Sequence, residues 1–297
     1  MSAPVRLVLF GAALALVFVV SAVAGGAVGP APKDEPARAG GGAHAGDAMG
    51  GETEHAEADG AHGAAVREVR GLASAADGLR LIVEDPELRR GRAERLAFRI
   101  VDDHDETVRD LDLEHTKRMH LIVARRDLTG FQHLHPRQRA DGAWVTRATI
   151  AEAGSYRLFA DFSRGGEPQT LASDLRVDGP ANLRALPAPA PAAVSDGGYD
   201  VELTAAGAHQ GEEAELRFTI SRDGEPVATE PYLGAGGHLV ALREGDLAFL
   251  HVHPTEEAGG SEIGFAATFP TEGRYRLFLQ FQHHGEVQTV AFTQEVE

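Results

Sequence analysis

The chain has 297 residues, 43% of them hydrophobic, which is enough for one large core or two of ordinary size. Its formal net charge of −17 argues against nucleic acid as a partner, because phosphate repels an acidic surface. Cysteine is absent, so the sequence excludes disulfides and thiolate chemistry, and any bound metal must be held by His, carboxylate, Met or the backbone.

The chain starts with an uncharged, mostly apolar run over residues 7–24, close to the minimum length of a membrane-spanning helix. Arg6 before the run and acidic residues after it predict a cytoplasmic start and an exported chain. The run ends in Ala-Val-Ala, which also fits a signal-peptidase site. Residues 1–24 are therefore predicted to be a membrane anchor or a signal peptide. The protein would be single-pass in the cell membrane with its bulk extracytoplasmic, or secreted if the segment is cleaved.

Two further segments have the composition of connectors. Residues 25–65 contain almost no large apolar side chain and are predicted to form a disordered tether rich in histidine and acids, which either captures cations weakly or is only solvated. Residues 183–197 are rich in proline and alanine and are predicted to be an extended linker. Two folded domains remain, residues 66–182 and 198–297. The linker predicts few contacts between them, and independent folding of the second.

Four segments of the first domain recur in the second, in the same order and at nearly constant spacing. The pairs are LAFRI and LRFTI, MHLIVARRDLTGFQHLHP and GHLVALREGDLAFLHVHP, AGSYRLFADF and EGRYRLFLQF, and EPQT and EVQT. Such matches indicate a tandem duplication.

The predicted fold class is all-β. Short segments in each domain alternate apolar with polar residues, and none sustains a helical period. About seven strands in about 100 residues are typical of an immunoglobulin-like β-sandwich. The Gly-x-Tyr sequences ending at Tyr156 and Tyr275 resemble the tyrosine corner of that fold. The expected architecture is two tandem sandwiches after an N-terminal hydrophobic helix and a disordered tether.

Each domain carries one histidine followed, 13 residues later, by the sequence His-x-His-Pro. The two sets are His120, His133 and His135 in the first domain, and His238, His251 and His253 in the second. Histidines two apart on a strand share one face. A two-residue hairpin loop at Glu244 and Gly245 predicts that His238 lies opposite His251, and the corresponding loop at Arg126 and Asp127 predicts that His120 lies opposite His133.

Three imidazoles in that register can converge on one ion. Metal binding would then weaken as the pH falls through about 6.5, the ordinary histidine pKa. The alternative interpretation is structural, with the rings bonded to loop carbonyls where proline ends the strand.

The domains differ at two places near these histidines. His283 and His284 lie at the tip of the late hairpin of the second domain, where they would either add a fourth ligand or be solvated turn residues. Glu114 and His115 precede His120 in the first domain, where the second has Leu-Gly-Ala.

The second domain, with PYLGAGGHLVALREGDLAFLHVHP, FPTEGRYRLFLQF and GEVQTVAFT, resembles a largely uncharacterised family of exported bacterial immunoglobulin-like domains, the YtkA-like and heavy-metal-associated secreted proteins. The resemblance covers most of residues 198–297 and, more weakly, residues 75–178. It implies an envelope location and a metal-linked context.

The sequence contains no Gly-x-Ser-x-Gly, phosphate loop or cysteine nucleophile, so we expect no enzyme. The favoured interpretation is a membrane-tethered, extracytoplasmic protein that binds Cu(II) or Zn(II), with copper preferred for an all-imidazole site. The alternative is a non-catalytic module that docks another envelope protein and uses its histidines structurally. The expected partners are the membrane, a metal ion and, in the alternative, that protein.

Overall fold

The computed structural model describes residues 69–205, 207–255 and 260–297, without the side chains of His251 and His253. The predicted anchor or signal peptide and the predicted tether lie outside these residues. The described part is all-β, and it includes no helix with the length and apolarity needed to cross a membrane. Both sandwiches belong to one compact unit of the chain.

The first domain packs two five-stranded sheets against each other, with strand orders β1-β2-β4-β8-β7 and β3-β10-β9-β5-β6. Its strands are β1 (Ala75–Ala76), β2 (Leu79–Val83), β3 (Glu87–Leu88), β4 (Ala93–Val101), β5 (His120–Arg125), β6 (Gln132–Leu134), β7 (Arg137–Gln138), β8 (Trp144–Thr149), β9 (Gly154–Arg164) and β10 (Glu167–Val177).

The second domain repeats this arrangement, except that β16 pairs with both β15 and β17 and so joins the two sheets in the order β11-β12-β13-β17-β16-β15-β18-β19, with β14 beside β13. Its strands are β11 (Ala192–Val194), β12 (Asp200–Ala205), β13 (Glu213–Arg222), β14 (Glu225–Pro226), β15 (His238–Arg243), β16 (Phe249–Pro254), β17 (Glu262–Thr268), β18 (Gly273–His283) and β19 (Glu286–Val296). Strand β11 falls within the segment predicted as linker and pairs with β12.

Each domain has its own core, built from the alternating apolar residues of the strands. The two tyrosine corners are present. The hydroxyl of buried Tyr156 donates to the carbonyl of Glu152 at 2.9 Å, and that of buried Tyr275 donates to the carbonyl of Thr271 at 3.0 Å. The paired sheets and these corners identify both domains as immunoglobulin-like sandwiches, as predicted.

The expectation of few contacts between the domains is wrong. A third apolar cluster joins strands β5, β9 and β10 of the first domain to β15, β16 and β18 of the second; its buried members are Ile122, Ala124, Leu128, Phe159, Ala172, Val240, Leu242, Leu247, Phe249 and Phe278. In β5 and β15 the odd-numbered residues enter the cores, and the even-numbered ones enter this junction. Both strands are therefore buried on both faces.

Two aromatic contacts across the junction are equivalent, as if related by a two-fold axis. The ring of Phe131 stacks on Phe278 at 4.1 Å, and that of Phe159 contacts Phe249 at 5.3 Å between ring centroids. In the repeat, Phe249 is the counterpart of Phe131, and Phe278 is the counterpart of Phe159. The contact of Phe131 with Phe278 is therefore repeated, with the two domains exchanged, by the contact of Phe249 with Phe159, as in an isologous interface.

The hairpin that carries the histidines has a longer loop than predicted. In the second domain the Leu247 amide donates to the Arg243 carbonyl, and the Arg243 amide donates to the Ala248 carbonyl, each at 3.0 Å. The loop therefore has four residues instead of two, and His251 lies opposite Val240 instead of His238. In the first domain His133 likewise lies opposite Ile122. Because the slip is two residues and the side-chain period is also two, the predicted face is preserved.

Candidate metal centre

Three histidines of the first domain converge at one end of the β5–β6 hairpin. His120 begins β5 and is 3% exposed, His133 lies within β6, and His135 follows the end of β6. One ring nitrogen of each lies within 4.8 Å of the other two. The sequence-predicted triad of the first domain is therefore brought together.

Carbonyl acceptors determine which nitrogens of two rings carry protons. His120 Nε2 lies 3.3 Å from the backbone oxygen of Glu114, and His133 Nδ1 lies 2.8 Å from Oε1 of Gln280. The Gln280 amide is itself oriented, because its nitrogen donates to Thr289 Oγ1 at 3.0 Å. Since carbonyl oxygens only accept hydrogen bonds, His120 is protonated on Nε2 and His133 on Nδ1.

The remaining nitrogens of these two rings face each other. His120 Nδ1 and His133 Nε2 are 3.0 Å apart. When both imidazoles are neutral, these two nitrogens are the unprotonated ones and can act as ligands. Two nitrogens bound to one tetrahedral ion at about 2 Å lie about 3.3 Å apart. The space between the rings is therefore suited to a cation.

Burial favours the neutral form of His133 and His135. It lowers the pKa of His135 to about 4, with His120 and Lys117 acting in the same direction. Burial, followed by the neighbouring His135 and His120, also holds the pKa of His133 well below its ordinary value, against the opposing bond from Gln280. Within the described chain, Nε2 of His135 is buried without a hydrogen-bond partner. Neutral imidazoles with available lone pairs are the form that binds metals.

The second domain completes the surroundings of the triad. Gln280, which orients His133, belongs to β18. Buried His238, at the start of β15, has its ring centroid 6.1 Å from that of His120 and 6.1 Å from that of His133. Tyr232 packs edge-on against His238 at 5.5 Å. The candidate centre thus lies at the junction of the two domains.

A strained turn brings a fifth histidine into the cluster. His115 and Thr116 occupy the centre of a two-residue turn with φ values of 45° and 66°, a conformation that glycine adopts more readily. The ring of His115 lies 4.9 Å from that of His238, edge to face. The equivalent turn of the second domain has Leu233 and Gly234 at these positions, and Gly234 lies near the methyl group of Thr116.

The other sequence-predicted ligands have different positions. The side chains of His251 and His253 lie outside the described part of the chain, although their backbones lie in β16, opposite Val240 and Ala266 respectively. His283 and His284 lie at the β18–β19 turn, where Nδ1 of His283 is 2.8 Å from the hydroxyl of Tyr199. They are not among the described histidines whose nitrogens converge.

Sequence reasoning did not assign Gln280 or His115 to the site. Both contact histidines of the other domain. The linker composition had predicted few contacts between the domains, so residues across a junction were not considered. The segments HLIVAR and HLVALR could have predicted the junction from sequence. A strand that is apolar at consecutive positions is typically buried on both faces.

The repeats match one family twice. The family described as Domain of unknown function (DUF8832) matches residues 74–179 and again residues 192–297. The chain belongs to this family. The DUF8832 copies coincide with the two sandwiches, and the second begins at β11.

Solved structures give only remote similarity. The Escherichia coli adhesin FdeC is 15% identical at a TM-score of 0.27, with 75% of this chain and 65% of that chain covered. A Salmonella alpha-2-macroglobulin is 13% identical at a TM-score of 0.27, with 76% and 15% covered. Titin Ig tandem domains are 13% identical at a TM-score of 0.20, with 74% and 96% covered. Scores this low add nothing to the fold assignment. A search of curated protein sequences finds no match.

Proposed function

We propose that this tandem DUF8832 protein binds Cu(II) or Zn(II) through histidines at the junction of its two sandwiches. The observation that carries the proposal is the convergence of ring nitrogens from His120, His133 and His135. Nδ1 of His120 lies 3.0 Å from Nε2 of His133, and the other nitrogens of these two rings lie beside carbonyl acceptors. A bound metal ion would occupy the space between these two nitrogens. His135 supplies the third ligand.

The donor set favours copper over zinc. Imidazole suits both ions, and Cu(II) stands above Zn(II) in the affinity order of divalent metals. Gln280 would act as the outer partner that metal-bound histidines commonly have, because it holds the His133 tautomer with Nε2 free to bind. We also propose that the resemblance to YtkA-like and heavy-metal-associated secreted proteins reflects a metal-linked context.

Metal titration of the purified protein tests the proposal. Replacing any one of His120, His133 and His135 by asparagine should weaken binding by more than the roughly 10–100-fold that loss of an outer partner costs. The losses should be non-additive, because the ligands act on one ion. His209→Asn changes an exposed histidine outside the cluster and is the matched control. A parent protein whose melting temperature ignores both metals at micromolar excess would end the proposal.

The alternative proposal is an envelope interaction module with structural histidines. The observation that favours it is that all four ring nitrogens of His120 and His133 have a partner within the protein. Nδ1 of His120 and Nε2 of His133 are 3.0 Å apart, Nε2 of His120 is 3.3 Å from Glu114, and Nδ1 of His133 is 2.8 Å from Gln280. On this view, the three asparagine variants lower the melting temperature equally with and without added metal. The metal-binding proposal predicts a difference between those two conditions.

We extend the proposal to location. The apolar run over residues 7–24 supports export, with the sandwiches outside the cytoplasm and tethered to the membrane or secreted. Protease added to intact spheroplasts should then digest the two domains. Digestion only after lysis would contradict this location.

A further inference from the structure

We propose that the first domain binds an oxyanion, a small molecule that carries phosphate or carboxylate groups, in a cleft lined by arginines. The cleft has a volume of about 630 Å³, which lies within the range of small-molecule sites. This inference goes beyond the proposed function and requires no bound metal. The described lining residues are Arg95, His135, Arg137, Arg139, Val145, Thr146 and Arg147.

The first argument is charge. Four of the seven described lining residues are arginines, and none is acidic. Arg95 is paired with Glu84 at 2.8 Å, whereas within the described chain no carboxylate lies within ion-pair distance of the other three arginines. The chain has 45 acidic residues for 28 lysines and arginines, and Arg99 on the same sheet does meet a carboxylate, that of Asp141 at 3.0 Å. The cleft therefore carries positive charge that the protein does not compensate.

The second argument is the strand register, which gathers the arginines on the outer face of one sheet. Arg95 of β4 lies directly opposite Arg147 of β8, which places their Cβ atoms about 5 Å apart. Arg137 of β7 lies opposite Val145, which is two residues from Arg147 and on the same face. Like charges directly opposite each other destabilise a sheet. A bound anion would offset this cost.

The chemistry of the side chain indicates the class of anion. A guanidinium group presents its N–H donors in a planar fork, which matches the oxygens of phosphate and carboxylate groups in bidentate geometry. Several such forks on one face favour a ligand with more than one charged oxygen. The volume of the cleft exceeds what a single water-sized ion would fill.

The second domain shows that the fold does not require these charges. In the aligned repeats, Arg95 corresponds to Glu215. The residue opposite Glu215 is Ala266, where the first domain has Arg147 opposite Arg95. The same sandwich therefore forms with an acidic and a small apolar side chain at these two positions. The arginines of the first domain are not needed for folding, which points to a ligand.

The cleft adjoins the candidate metal centre through one residue. His135 lines the cleft and also belongs to the histidine triad. An anion in the cleft would therefore be the neighbour of a metal ion bound to the triad.

Calorimetric titration of the whole protein, freed of metal by dialysis, tests the inference. The probes are inorganic phosphate and citrate, with chloride at equal ionic strength as the reference. The expected result is saturable binding of one molecule per chain and a melting temperature above that in chloride. Tighter phosphate binding assigns a phosphate-bearing ligand, and tighter citrate binding assigns a carboxylate-bearing one. Absence of saturable binding for both probes would overturn the inference, whatever the result of the metal titration.

Arginine variants provide the second measurement. Arg137→Gln and Arg147→Gln should each weaken binding by about 10–100-fold, because each removes a hydrogen bond between charged groups. Both side chains are exposed, so the variants should fold. Arg126→Gln removes the same charge from an exposed position outside the cleft and should leave binding unchanged. Equal affinities in all three variants would contradict the assignment of the cleft.

Discussion

At the residue scale, the chemistry of the candidate centre depends on the choice of tautomer. His133 has two nitrogens. The amide oxygen of Gln280 accepts a hydrogen bond from Nδ1–H, so that Nε2 faces His120. Gln280 lies in the other domain and is oriented by Thr289. An uncharged side chain of the other domain thereby influences which atom of the histidine can bind.

Replacing Gln280 by leucine should weaken metal binding by about 10–100-fold, because His133 loses the partner that holds its tautomer. Competition against a chromophoric chelator measures the change. Gln282→Leu is the matched control, since this residue lies on the same strand and its amide donates instead to Glu230. Equal losses in the two variants would show that Gln280 acts only through general stability.

The metal-free protein should lose stability as the pH falls from about 6.5 towards 4. The pKa of His135 is lowered from 6.5 to about 4 in the folded state, so the unfolded chain binds more protons within that window. Stability therefore rises with pH there and is complete above about 6.5. Thermal unfolding in the presence of a chelator should show a shallower pH dependence for His135→Asn than for the parent or His209→Asn. Identical profiles would contradict the lowered pKa.

The same shift changes the expected pH range of metal binding. The sequence predicted that binding weakens near pH 6.5. With the pKa of His135 at about 4, protons compete for this ligand only at lower pH. Proton competition at His135 and His133 should consequently begin below pH 6.5.

At the element scale, two turns determine the arrangement of the cluster. The four-residue loop after β15 sets the register, and Leu247 makes it possible by adopting a φ of 62°. The turn that carries His115 and Thr116 places a ring beside His238 at the cost of two positive φ angles. Strain of this kind is commonly found at functional sites.

Thr116→Gly should stabilise the protein by about 0.5–1 kcal/mol, because a β-branched residue at positive φ is strained and the gain exceeds the entropy that glycine loses on folding. The reverse change, Gly234→Thr in the equivalent turn, should destabilise the protein, since Gly234 has a φ of 84°. Denaturant unfolding measures both. Destabilisation by Thr116→Gly would show that the threonine side chain contributes contacts that outweigh its strain.

At the scale of the whole molecule, the domains act as one unit because their sheets share an apolar junction. The same face that carries Ile122 and Ala124 also carries His120, and the face of β15 with Val240 and Leu242 carries His238. Docking and the formation of the histidine cluster are thus one event. Metal binding should stabilise the docked arrangement by mass action.

Phe278→Asp should separate the domains and weaken metal binding, because it places an unpaired charge where the ring stacks on Phe131. We expect a loss of roughly 2–4 kcal/mol in the free energy of unfolding. Small-angle scattering would report the larger radius of gyration. Val287→Asp is the control, since Val287 is 43% exposed. Unchanged scattering and metal affinity in Phe278→Asp would indicate that the junction is not needed for the site.

The sequence by itself determined the duplication, the sandwich fold, the tyrosine corners at Tyr156 and Tyr275, and the shared face of His120, His133 and His135. These follow from local periodicity and from repetition, which are properties of contiguous segments. The hairpin register was predicted wrongly, but the predicted face of each histidine was still correct. A slip of two residues leaves every side chain on the same face of the strand.

Only the tertiary structure decided that the two repeats dock, and hence that Gln280, His115 and His238 surround the triad of the first domain. Docking depends on how side chains from distant strands fit together. The ring of Phe131 can stack on that of Phe278 only when both sheets are folded and related by a two-fold axis. Linker composition describes the connection between two domains and carries no information about the complementarity of their faces.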